Sequence, residues 1–106
     1  MKGMFIMKKI VAVTACPAGV AHTYMAAEGL KKAAKKYGCS IKVETDGASG
    51  VENRLTEEDI KEADAVILAI DTAVNVERFH DKTVIEISVG DAIRKADKII
   101  EKIQRG

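Results

Sequence analysis

The run Ile10-Val11-Ala12-Val13 is short, unbroken and rich in β-branched residues, as a strand buried on both faces requires. Cys16-Pro17-Ala18-Gly19 cannot continue it. A helix is predicted from about His22 to Tyr37, because Ala26, Leu30, Ala33, Ala34 and Tyr37 recur on one helical face. Lys31, Lys32, Lys35 and Lys36 lie on the other side, towards the negative end of the dipole. Gly38 stands where a C′ glycine belongs. Gly29 costs about 1 kcal/mol against Ala inside a helix; the small residues around it point to close helix–sheet packing as its reason. Ile41–Thr45 reads as a second strand, followed by a flexible loop, Asp46-Gly47-Ala48-Ser49-Gly50. Thr56 with Asp59 forms a capping-box start for a short helix reaching about Ala63, with Leu55 and Ile60 at the staple positions. Ala65–Ile70 is the most apolar segment and a third buried strand. Asp71–Asp81 is irregular, with room for one helical turn. Thr83–Ile87 is a fourth strand, and Ser88 with Asp91 opens one last helix whose face is Ala92, Ala96, Ile99, Ile100 and Ile103.

Strands alternating with helices imply right-handed crossovers and a parallel sheet. The predicted fold is α/β: a small open four-stranded parallel sheet, order 2-1-3-4, with helices on both faces. In such sheets ligands bind beyond the carboxyl ends of the strands, where the winding reverses. The first strand ends there, at Thr14-Ala15-Cys16.

Composition narrows the chemistry. The 106 residues are 47% hydrophobic and 31% charged, as in an ordinary globular chain. Residues 1–6 read as an N-terminal extension and 7–106 as a single domain. Lys plus Arg number 17 and Asp plus Glu 16, a net charge of +1. With no Trp and four other aromatic residues, neither a phosphate-backbone footprint nor a stacking platform is indicated, so no nucleic-acid partner is expected. Cys16 and Cys39 form neither a C-x-x-C motif nor a disulfide framework, and no metal site is expected. No apolar run reaches the ~20 residues of a membrane helix, so no direct membrane insertion is expected. Val13–Cys16 behind Lys8-Lys9 has the outline of a lipoprotein cleavage site. Its apolar stretch is shorter than the usual h-region of about 7–15 residues, and cleavage would remove the best strand.

The informative segment is Cys16-Pro17-Ala18-Gly19-Val20-Ala21-His22-Thr23. Helix-start N–H groups are unpaired, point outward and bind anions, phosphate above all. The same field favours a thiolate; a free cysteine has a pKa of about 8.5, which falls at helix N-termini. One loop thus offers a nucleophile and a cradle for the group it attacks. Cys16 is the candidate nucleophile, and Pro17, Ala18, Gly19, Val20, Ala21, His22 and Thr23 are the candidate phosphoryl-binding residues. Gly19 permits close backbone approach. A protonated His22 would pair with phosphoryl oxygens, and Thr23 would donate to sulfur or phosphate. Cys39 reads as a packing thiol, His80 as a surface residue, and Asp71 as a residue that fixes a loop. The spacing resembles the low-molecular-weight tyrosine phosphatase loop, Cys-x5-Arg-Ser/Thr. Here His22 replaces the arginine, so the bidentate guanidinium is missing.

The run Cys16–Glu28 (Cys-Pro-Ala-Gly-Val-Ala-His-Thr-Tyr-Met-Ala-Ala-Glu) closely resembles the active-site segment of fructose-type enzyme IIB components. These belong to the bacterial phosphoenolpyruvate-dependent sugar phosphotransferase system. The resemblance continues through Val43-Glu44-Thr45, Gly47, Asn53–Thr56, Asp59-Ile60, Ala63-Asp64, Asp71 and Arg78-Phe79. It implies that Cys16 takes a phosphoryl group from a phosphohistidine on a IIA component, forming a phosphocysteine. A membrane IIC component would then pass that group to an incoming sugar, fructose or a related hexose. The implied partners are phosphorylated IIA and the IIC permease, with no cofactor. The implied location is the cytoplasm, transiently at the inner face of the membrane through IIC.

The chain departs from the family pattern in three places: Pro-Ala-Gly-Val stands for Pro-Thr-Gly-Ile, Asp46 for the amide of Glu-Thr-Gln-Gly, and His80 near where a glycine is common. These changes keep two other readings open. One is a lapsed regulatory or interaction module of the same fold; the other is a phosphatase-like enzyme using the same loop.

Overall fold

The computed structural model describes residues 8–16, 20–47 and 50–105. Strand β1 (Lys9–Ala15) lies at the centre of the sheet and is followed by helix α1 (Val20–Lys36). Strands β2 (Ser40–Gly47) and β3 (Gly50–Glu52) precede α2 (Glu57–Glu62), and β4 (Ala65–Ile70) leads to a 3-10 turn, Glu77–Phe79. Strand β5 (Val84–Ile87) and helices α3 (Val89–Arg94) and α4 (Ala96–Arg105) complete the described chain.

The sheet order is β3-β2-β1-β4-β5. Its parallel part, β2-β1-β4-β5, is the predicted order 2-1-3-4. The sheet as a whole is mixed and five-stranded, which corrects the four-stranded expectation. The added strand is β3, antiparallel to β2 through Thr45↔Glu52, Asp46↔Val51 and Gly47↔Gly50. It comes from a stretch read as loop, because Gly-Val-Glu is exposed throughout and carries no apolar alternation. Its pairing is purely backbone. Gly50 has φ 105°, which a side chain would resist.

Successive residues of the central strands feed opposite faces. Ile10 and Ala12 with Ala65, Ile67 and Ala69 pack under α1, α3 and α4. Val11 and Val13 with Val66 and Leu68 pack against Leu55, Ile60, Ala63 and Phe79. Layers therefore cover both faces of the sheet, as predicted. The capping box forms: Asp59 N–H donates to Thr56 Oγ1 at 3.0 Å, and Thr56 N–H to Asp59 Oδ2 at 2.9 Å.

Helix α1 ends in a Schellman motif. Gly38 has φ 72°, Cys39 N–H donates to Ala34 O at 2.8 Å, and Gly38 N–H to Lys35 O at 3.3 Å. Gly29 does not serve the close helix–sheet packing expected of it. A Cβ there would meet the carbonyls of Ala92 and Ile93 and the Cβ of Ala96 at 3.4–3.9 Å, so its neighbours are α3 and α4, at distances an alanine would accept. The last helix, expected as one, breaks at Lys95 (φ −123°, ψ 21°). Ala92, Ala96, Ile100 and Ile103 all stay buried across the break. The break falls where α1 presses against this segment.

Candidate functional site

Cys16 follows the last residue of β1 and is half-buried against the α1-side core. Ala15 lies between Asp46 of β2 and Ile70 of β4 in the register. The thiol therefore stands at the carboxyl end of the central strand, where the chain's winding reverses. Asp71 N–H donates to Ala15 O at 2.9 Å, which brings the loop after β4 against the peptide preceding Cys16.

Helix α1 opens at Val20, two residues earlier than predicted, with no acidic residue in its first turn. Its positive end thus faces the Cys16 loop without an opposing carboxylate from that turn. Thr14 Oγ1 donates to Thr23 O at 3.3 Å, tying the end of β1 to the start of α1. Thr14 and Thr23 are both buried. Ala21 and His22 are exposed. Pro17, Ala18 and Gly19 lie outside the described residues, as does the side chain of Val20.

His22 faces a pocket of about 270 Å³ whose described lining also includes Asp71, Val89, Gly90, Ile93 and Arg94. Asp71 Oδ1 accepts from Val89 N–H at 3.1 Å, the loop-fixing role expected of it. Arg94 was not among the expected site residues. It reads in sequence as one more cation on an exposed helix face, and only the packing of α3 beside α1 brings it to His22. A larger groove of about 580 Å³ runs between β5 and α4, past Ala65, Ile85 and Ile103. It includes Lys8 and Asp64 at the amino ends of the strands, away from Cys16.

On the opposite face of the sheet a partly buried ion pair ties separate segments together. Arg78 donates to Glu44 Oε1 at 2.9 Å and to Oε2 at 2.5 Å, and Leu55 N–H donates to Oε1 at 2.8 Å. Burial pushes the Glu44 carboxyl up. The hydrogen bonds from Arg78 and Leu55, with the charges of Arg78 and Arg54, outweigh burial and hold it below the usual carboxylate range. The bidentate pair joins β2, the 3-10 turn and the lead into α2. Tyr24 Oη also donates to Glu52, linking the start of α1 to β3. Cys39 is buried, donates to Gln104 Oε1 at 3.1 Å and has its thiol pushed up by burial, consistent with a packing role. His80 is exposed beside Asp81.

The fold and the placement of Cys16 define an open α/β domain with one thiol at the sheet's switch point. Comparison with known proteins places it further. Residues 11–102 match the family described as "PTS system, Lactose/Cellobiose specific IIB subunit". The chain is 54% identical over 99 residues to the PTS system fructose-like EIIB component 2 of Escherichia coli K12, covering 92% of this chain and 93% of that protein. It is 51% identical over 94 residues to the PTS system fructose-specific EIIABC component of Bacillus subtilis 168, covering 89% of this chain and 15% of that protein. Among solved structures, a domain of a fructose-specific IIABC component from Borrelia burgdorferi superposes with a TM-score of 0.90 at 50% identity, covering 95% of this chain and 97% of that one. The enzyme IIB subunit of a PTS from Escherichia coli K12 gives 0.88 at 44% identity, with 94% of both chains covered. The chain belongs to the IIB subunits of the phosphotransferase system, which are phosphotransferase components of sugar transport. Among the described residues no helix is long and apolar enough to cross a membrane.

Proposed function

We propose that this chain is a phosphoryl carrier whose acceptor is Cys16. The carrying observation is the position of that thiol: directly after the central strand, at the switch point, four residues before α1 opens. Residues 7–106 act as one carrier domain. The donor is a phosphohistidine on a IIA component. Thiolate Sγ attacks phosphorus in line, the P–N bond breaks, and the imidazole, protonated on its other nitrogen, leaves as neutral histidine. The outward N–H groups at the start of α1, with the backbone of residues 17–19, hold the equatorial oxygens while charge builds. Ala21, His22 and Thr23 complete this cradle, together with Val20.

In the second step a sugar hydroxyl bound in the IIC component attacks the phosphocysteine. The P–S bond breaks, the thiolate keeps the electron pair, and the hydroxyl proton goes to a base outside this chain. The sugar is fructose or a related hexose, supported by the fructose names carried by the relatives. The family description names lactose and cellobiose instead. Whole-chain relatives at 47–54% identity outweigh that broad label for the choice of sugar. The chain works in the cytoplasm, reaching the inner face of the membrane only while engaged with IIC. Several relatives are named as fusions, EIIABC and EIIBC, in keeping with such partners.

The test is intact-protein mass after incubation with phosphoenolpyruvate, the general phosphotransferase proteins and a fructose-type IIA. One added phosphoryl group is expected, mapped to the Cys16 peptide and absent in Cys16→Ser. Undiminished uptake by Cys16→Ser would refute the assignment. No uptake from several demonstrably phosphorylated IIA proteins would leave an interaction module as the better reading.

A further inference from the structure

From Thr14 to Leu30 the chain holds no Lys or Arg. A phosphoryl dianion on Cys16 therefore meets no fixed cation in its own loop or along the first half of α1. The fold supplies one from 78 residues away. Arg94 shares with His22 a pocket of about 270 Å³ that Asp71 also lines, and Asp71 is bound to the peptide preceding Cys16. The pocket is smaller than a typical small-molecule site, about 300–1,000 Å³, and suits a group more than a whole ligand.

Two anchors fix its position. Asp71 N–H holds Ala15 O, one residue before Cys16, while Asp71 Oδ1 holds Val89 N–H. The start of α3 is thereby tied to the end of β1. Val89 and Ala92 are buried, so α3 cannot swing freely. Gly90 makes room for the guanidinium: a Cβ there would lie 3.2 Å from Arg94 Nη1. The nearest carboxylate partner of Arg94 is Asp91, at 3.5 Å, a long contact that leaves most of the side chain exposed. The guanidinium thus lines the pocket without being consumed by a tight ion pair.

The charged and titratable side chains there are Arg94, His22, Asp71 and Asp91. Asp71 cannot be dispensed with, because it holds the two loops together, yet its carboxylate repels a phosphoryl group. We propose that Arg94 is the positioning cation of the phosphoryl subsite, offsetting Asp71 and drawing the dianion towards Cys16. This rests on the reading of Cys16 as the phosphoryl carrier.

The experiment measures steady-state and single-turnover transfer from phosphorylated IIA to the intact chain at low and high salt. Loss of one charge across a partly solvated pocket should slow transfer about three- to thirty-fold in Arg94→Gln, less as salt rises. Arg94→Lys should keep most of the rate. Asp71→Asn should move the other way, since its amide oxygen still accepts from Val89 N–H. The double variant should return towards wild type. Circular dichroism melts confirm that each variant folds. A wild-type rate for Arg94→Gln would overturn the proposal. So would equal slowing by Arg94→Gln and Asp71→Asn, which marks a structural role, or a rise in KM for IIA with kcat unchanged, which marks partner docking alone. Failure of the carrier reading looks different: wild type takes no phosphoryl group, or Cys16→Ser takes it equally well.

Discussion

Arg78→Ala should cost more than any exposed charge in this molecule, and the cost should depend on pH. The Glu44 side chain is 5% exposed and that of Arg78 26%. Truncating Arg78 removes two charge-assisted hydrogen bonds and leaves a buried carboxylate with the Leu55 N–H. Breaking a buried pair in this way costs about 3–5 kcal/mol. The remaining N–H and the water admitted by truncation put this case near the lower end, about 3 kcal/mol. A domain of this size has only about 5–15 kcal/mol to lose. With a urea m-value of about 1.5–2 kcal/mol/M, the midpoint should fall by about 1.5–2 M. The chain has no Trp, so the assay is urea unfolding followed by far-ultraviolet circular dichroism.

The pH dependence follows from the sign of the shift. In the wild type the Glu44 carboxyl is held below its ordinary value, so its stabilisation is present above the unfolded value and fades as pH falls below it. In Arg78→Ala the Arg78 hydrogen bonds and charge are gone, so burial, the largest single influence, is opposed only by the Leu55 N–H and the Arg54 charge, and the carboxyl moves up from its wild-type position. The variant is then relieved as Glu44 takes a proton, and the gap between the two proteins should narrow from pH 7.5 to pH 4. Glu44→Gln, which keeps an oxygen for Leu55 and Arg78, should cost less, and Arg78→Ala should add little to it. A loss below 1 kcal/mol, or a gap that widens towards pH 4, would refute the reasoning.

Two further outcomes test the scaffold. Gly29→Ala should stabilise by about 0.5–1 kcal/mol from helix propensity, because its Cβ would sit 3.4 Å from Ala92 O, an ordinary contact. Gly29→Leu should destabilise, and the same urea midpoints show both signs. Asp59 is held at about 2 by Lys42 and by the Thr56 cap. Its contribution is present above the unfolded value near 3.8 and lost as pH falls towards 2. Acid unfolding curves of Asp59→Asn should therefore flatten in that window, while the wild type loses stability across it.

Much of this molecule was legible in its residues taken in order. The β-branched runs at Ile10–Val13 and Ala65–Ile70 marked the two central strands, because a strand covered on both faces needs no polar alternation. Thr56 with Asp59 and Gly38 marked helix ends, because caps are local hydrogen-bond chemistry. The cysteine segment, a thiol between a buried strand and a helix start, was likewise readable, since strand, loop and helix are contiguous. What tertiary structure alone decided depends on residues far apart in the chain. Strand β3 exists only because the backbone edge of β2 was unpaired. The break at Lys95 is invisible to a face that stays apolar through it, and Gly29 lies beside carbonyls 63 and 64 residues away. Glu44 finds Arg78 across 34 positions, and Arg94 comes to line one pocket with His22 across 72, because α1 and α3 pack on one face of the sheet. Local chemistry declares itself in sequence, whereas a charge acquires its partner only when the chain closes on itself.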